Sequence, residues 1–104
     1  MKVVQITPRA KARLFSVLVR REAEIRKKGR GTFSRTGAAR AGAALWKHKR
    51  FQGSVNLKRD AAEVVTAKVR SRTPENERQL LSAFLGFVDR QCGDQVQTIL
   101  IDYR

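Results

Sequence analysis

Acidic residues are scarce in this chain. Nine Asp and Glu stand against 23 Lys and Arg in 104 residues, so the formal charge at pH 7 is +14. Cysteine and histidine are scarcer still, with one of each, Cys92 and His48. A structural zinc site takes four such ligands, so the chain cannot build one alone, and no metal or cofactor is implied. A lone cysteine also excludes an internal disulfide, so the fold has to stand on packing, which suits a reducing compartment. The cytoplasm is the expected location. The longest nearly apolar run, Leu80 to Val88, is far short of the roughly 20 residues that span a bilayer, and no apolar signal segment opens the sequence. No membrane partner is expected. Met1 to Arg21 contains no acid, as a transit peptide would, but it reads more simply as a strand and a helix with a basic face.

What is present is enough for a folded domain. At 41% hydrophobic the chain is not a disordered polycation. A single domain over residues 1–104 is expected, burying roughly two-thirds of the surface its unfolded form exposes. The charge is unevenly spread. Residues 1–50 hold 15 cations and 2 acids, or +13, whereas residues 51–104 hold 8 and 7, or +1. Such asymmetry predicts a scaffold in one half and a surface for a polyanion in the other.

Met1 to Ile6 reads as a strand through Val3, Val4 and Ile6. Thr7-Pro8 supplies a helix cap followed by proline at the first helical position, so a helix is expected to start there. Its apolar line is Leu14, Leu18 and Ile25, flanked by Ala10, Phe15 and Val17; Arg9, Arg13, Arg20 and Lys27 line the opposite side. Lys27-Lys28 and Gly29 should end it. Residues 29–52 form an acid-free stretch with four of the seven glycines, expected to be a basic insertion or loop, with a short helix from Thr36 to Leu45. Alternation then marks a hairpin: Val55 and Leu57, a turn at Arg59-Asp60-Ala61, and Val65, Ala67 and Val69. Its other face carries Ser54, Asn56, Lys58, Thr66, Lys68 and Arg70, a surface able to track phosphates. Thr73-Pro74-Glu75 opens a second helix with Leu80, Leu81, Phe84, Phe87 and Val88 on one face, ended by Gly93. Val96 to Tyr103 is apolar on both faces, as a strand covered on both sides would be.

This order predicts an α+β fold, a ferredoxin-like βαββαβ sandwich with an insertion after the first helix. The alternative is an αββαβ layout in which the first strand does not pair. One apolar row of the last strand needs a cover, either the Trp46 segment folding back or a second copy of the chain, which makes a homodimer one expectation.

The basic, glycine-bearing, aromatic-punctuated segment from Arg20 to Phe51 carries the functional reading. Cations neutralise phosphates, glycines permit close backbone approach, and aromatics can stack on bases. The expected partner is nucleic acid, DNA or RNA, held through Arg20, Arg26, Lys27, Lys28, Arg30, Arg35, Arg40, Lys47, His48, Lys49 and Arg50. The alternatives are a solvated face without a partner and an adaptor docking on an acidic protein. Trp46 is more simply a core residue than a stacking platform. The runs Lys2 to Ile6 and Glu63 to Arg70 contain no aromatics, which argues against an RNA recognition motif. A small ribonuclease is the enzymatic alternative, with His48 beside Lys47, Lys49 and Arg50 and with Glu63 nearby. No second acid or base stands at a diagnostic spacing, so no catalytic residue is assigned. Gly31 to Gly37 lacks the ending of a Walker loop, although Arg30 to Thr36 would suit a phosphate if Thr36 capped a helix.

Overall fold

A computed structural model describes residues 1–37 and 40–104. The chain runs β1 (Lys2–Pro8), α1 (Leu14–Lys27), β2 (Phe33–Arg35), β3 (Ala43–His48), β4 (Ser54–Arg59), β5 (Val65–Arg70), α2 (Pro74–Cys92), a 3₁₀ turn (Gly93–Gln95) and β6 (Val96–Tyr103). The six strands form one antiparallel sheet in the order β2-β3-β4-β5-β1-β6.

The architecture is α+β, as the pattern predicted, but the sheet has six strands, and its order is not the classic four-stranded ferredoxin-like one. The extra pair comes from the supposed insertion. Ala43 to His48 is a strand bonded to β4, and Phe33 to Arg35 is its outer neighbour. The expected helix from Thr36 to Leu45 does not fit this arrangement. Its Ala38 and Ala39 lie outside the described residues, and from Ala43 onward the segment is extended, with the Thr36 N–H donating to the Leu45 carbonyl at 2.7 Å. Alternation decided the outcome: Ala44 and Trp46 are buried while Lys47 is exposed, the period of two that a strand needs. The layout with an unpaired first strand is also overturned, because β1 is flanked by β5 on one side and β6 on the other.

Both helices cover one side of the sheet. Val4, Ile6, Val55, Leu57, Val65, Ala67 and Val69 are fully buried against Leu14, Leu18, Leu80, Phe84 and Val88. Trp46 is fully buried too, in contact with Phe33, Phe84 and Phe87 at ring-centroid distances of 5.9, 6.2 and 5.2 Å. It belongs to the core.

α1 starts later than its proline suggested. β1 continues through Pro8, where the pairing with β6 shifts register, and the Arg9 N–H donates to Gln95 before Lys11 takes a left-handed φ of 66°. The helix therefore begins at Leu14, with no side-chain cap. α2 begins as read: the Thr73 hydroxyl accepts from the Asn76 N–H at 3.2 Å, Pro74 occupies the first turn, and Glu75 and Glu77 sit at the positive end of the dipole. Gly53, at φ 135°, closes the turn from β3 to β4. A Cβ there would fall on the Arg70 carbonyl oxygen and the Leu80 side chain.

The last strand departs most from its pattern. β6 is an edge, and Ile99, Leu100 and Tyr103 are exposed. The Trp46 segment cannot cover it, since β4, β5 and β1 stand between. Among the described residues no helix is long and apolar enough to cross a membrane.

Candidate nucleic-acid interface

Because both helices lie on one side, the other side of the sheet is open. Alternation places Leu45 and Lys47 of β3, Ser54, Asn56 and Lys58 of β4, Thr66, Lys68 and Arg70 of β5, and Val3 and Gln5 of β1 on it. No Asp or Glu occupies this face between β2 and β1; the first acid met is Asp102 on the far edge strand.

Register keeps the cations from meeting head-on. Lys58 stands opposite Ala43 and Thr66, Lys68 opposite Asn56 and Val3, Arg70 opposite Ser54, and Lys47 opposite Ser34. Each cation has a neutral direct neighbour across the ladder, and the nearest like charges are Lys68 and Arg70, two residues apart along β5, about 6.6–6.8 Å at the backbone. The surface concentrates positive charge without the cost of a direct like-charge pair. Two depressions bound it. One, of about 570 Å³, is lined by Lys47, Ser54, Arg70 and Arg72 with Phe51 at its rim; the other, of about 370 Å³, is lined by Arg40, Leu45, Asn56 and Lys58.

Salt bridges engage part of the basic surface outside this face. Arg20 and Arg21 lie 3.5 and 3.7 Å from Glu24, Arg26 lies 3.4 Å from the buried Glu22, and Arg59 lies 3.3 Å from Glu63. Among the described residues, Arg40, Lys47, Lys49, Arg50, Lys58, Lys68, Arg70 and Arg72 make no ion pair with a carboxylate. Arg9, Lys11, Arg13, Lys27, Lys28, Arg30, Arg35, Arg78 and Arg90 make no such pair among the described residues either, so what distinguishes the open face is that its cations stand together on adjacent strands with no acid among them.

The residues expected from sequence therefore divide. Arg40 and Lys47 border or lie on the open face, and Lys49 and Arg50 are exposed in the turn after β3. Arg20, Arg26, Lys27 and Lys28 belong to α1 and the residue that ends it, and Arg30 follows in the loop, so this group lies in the helical layer. Arg35 is half-buried on β2, its N–H donating to Glu22 at 3.2 Å and its Nε enclosed without a partner among the described residues. Lys58, Lys68, Arg70 and Arg72 were missing from that set, because their half of the chain is nearly neutral in sum. Its acids lie elsewhere: in the β4–β5 turn, on α2, after it and on β6. Glu22 also escaped notice, although it follows Leu14 and Leu18 at helical spacing; an acid on an apolar stripe signals a buried tie, here from α1 to β2.

His48 has a structural position. Its Nδ1 accepts the N–H groups of Arg50 at 3.0 Å and Phe51 at 3.4 Å, and its ring stacks on Phe51 with centroids 4.7 Å apart. Burial, and secondarily Arg50, hold its pKa below the usual imidazole value. Glu63, its proposed partner in an enzymatic reading, sits beyond the opposite end of β4, paired with Arg59, so the two are not brought together. Among the described residues no group of three or more His, Cys, Asp or Glu gathers to hold a metal. A further basic depression, of about 710 Å³, lies where the β1–α1 connection meets the β4–β5 turn, with Arg9, Lys11, Arg13 and the Glu63-paired Arg59 on its walls.

In comparisons with family models, curated proteins and solved structures, nothing matches this chain.

Proposed function

We propose that this protein binds nucleic acid, DNA or RNA, through the phosphate backbone, using the open face of its sheet. The observation that carries the reading is the set of cations Lys47, Lys58, Lys68 and Arg70 on three adjacent strands, with no acid among them and no ion pair to any described carboxylate. Polyanions gain affinity from such a set by releasing their condensed counterions. Arg40, Lys49, Arg50 and Arg72 extend the surface at its borders, while Arg20, Arg26, Lys27, Lys28 and Arg30 add long-range attraction from the helical side. The strand residues of the open face include no aromatic side chain, since Phe33 and Trp46 are buried on the other side, and Phe51 at the rim is stacked on His48. Base stacking is therefore not its mode, and duplexes should bind at least as well as single strands. We read the architecture as a ferredoxin-like core, β4-β5-β1-β6, widened by the β2–β3 hairpin, which enlarges the open face.

Electrophoretic titration with duplex DNA, duplex RNA and single strands at two salt concentrations tests the proposal. Binding should weaken steeply with salt. The variant Lys58→Ala, Lys68→Ala, Arg70→Ala should bind all sequences less well and flatten the salt slope by about 0.9 for each duplex phosphate it no longer neutralises. No binding at low salt, or an unchanged slope in the variant, overturns it.

A further inference from the structure

We infer that β6 is the interface with a second copy of this chain, paired antiparallel about a two-fold axis through Leu100. β6 is an eight-residue edge strand whose outer hydrogen-bonding groups have no strand partner among the described residues. Edges of this length are normally blunted by proline, lysine or a covering element. β6 contains neither proline nor lysine, Leu100 is 64% exposed and Tyr103 69%, and the intramolecular cover the pattern offered, the Trp46 segment, is held on the far side of the sheet.

Register and charge point to the same occupant. With Leu100 on the axis, Leu100 meets its own copy and Ile99 meets Ile101 twice, so apolar residues pair along the middle of the strand, clear of the irregularity at Gln97, which is the extra residue where the pairing with β1 shifts. Opposite residues then share a face, because a two-fold perpendicular to a sheet preserves its sides. Asp102 falls opposite Thr98 rather than its own copy. Two chains of +14 repel, and β6 is where they can approach with least penalty. Asp102 and Arg104 pair with each other at 3.0 Å, and Val96 to Ile101 carries no charge. The β2 edge, by contrast, is three residues long and includes Arg35. The assembly would be one twelve-stranded twisted sheet with both basic faces on the same side. That last consequence rests on the nucleic-acid reading; the dimer itself does not.

Light scattering without nucleic acid separates the two. A mass near twice 11.8 kDa is expected at high protein concentration. Association should strengthen with salt, which screens the repulsion, the opposite of the salt effect on nucleic-acid binding. Leu100→Lys, at an exposed position, should give a folded monomer by circular dichroism. Register is read by cross-linking: oxidised Leu100→Cys should give a covalent dimer, since residues on the axis fall within disulfide reach. Thr98→Cys should not, as its copy lies about 13 Å along the strand. The native Cys92 is buried, its thiol pKa pushed up to about 11, so it supplies no competing bridge. A monomer at all concentrations, a dimer unaffected by Leu100→Lys, or equal cross-linking at both positions overturns the inference.

Discussion

The two faces of β3, β4 and β5 are made by alternate residues of the same strands, yet they share almost no chemistry. On β5, Val65, Ala67 and Val69 are fully buried beneath the helices, while Lys68 and Arg70 between and beyond them are exposed. On β3, Trp46 is enclosed by three phenylalanine rings while Lys47 pairs with no described carboxylate. Folding free energy comes from one face, and the proposed attraction for a polyanion from the other. A period of two lets a small protein separate the tasks at single-residue resolution, so each should be removable without the other.

The largest expected effect is on the covered face. Trp46→Ala removes a fully buried indole from the aromatic cluster and should cost about 3–5 kcal/mol, read from urea unfolding monitored by circular dichroism. Typical domains are stable by only about 5–15 kcal/mol, so the midpoint should fall sharply. The fraction that remains folded should bind nucleic acid as before. A specific loss of affinity in folded Trp46→Ala would break the separation and give the indole a role at the interface.

The next effect compares the open face with the helical ridge. Replacing Lys58, Lys68 or Arg70 should change stability by no more than about 0.5 kcal/mol each, because these side chains are exposed and pair with no described carboxylate, Arg70 donating only to the Met1 Sδ at 3.1 Å. Replacing Arg20, Arg26 and Lys27 by glutamine should weaken binding much less than the open-face variant does, since Arg20 and Arg26 already face Glu24 and Glu22. Titrations of both variants at matched salt check the order. If the ridge variant loses more affinity, the helical layer is the interface.

Alternation on β4 and β5 made the open face legible in the sequence down to Lys58, Lys68 and Arg70. The strand–helix order also marked four of the six strands and both helices. What linear reading missed was pairing across distance. The charge count by halves assigned the polyanion surface to residues 1–50, but β4 and β5 from the other half supply most of the open-face cations. Their neutral sum reflects acids carried by turns, α2 and β6. Glycines and alanines hid β2 and β3, because Gly37 and Gly42 flank the connection while Ala43 and Ala44 resemble helix formers. The strand is set by Ala43 to Trp46 pairing with β4, a tertiary preference that outweighs local propensity. Val96 to Tyr103, apolar on both faces, signalled coverage that the described residues provide only in part, at Val96 and Ile101.

The smallest expected effect lies where the two faces meet, at His48. Its neutral Nδ1 accepts two backbone N–H groups, so protonation removes an acceptor from the turn that presents Lys49 and Arg50. The folded pKa is lowered, by burial first and by Arg50 second, while an unfolded histidine titrates near 6.5. Between those values the unfolded chain binds a proton that the folded one does not. This contribution to stability is therefore complete above about pH 6.5 and declines as pH falls through the lowered folded value. His48→Asn keeps an acceptor near the same place without titrating, so its melting temperature should lose this step of the acid dependence. A bound polyanion has the opposite preference, favouring the imidazolium beside Lys47 and Arg50. Nucleic acid should thus raise the His48 pKa, measured by NMR titration of its ring protons with and without duplex. An unmoved pKa at saturating duplex would place the phosphates away from this end of the sheet and confine the interface to Lys58, Lys68 and the depression beside Arg40.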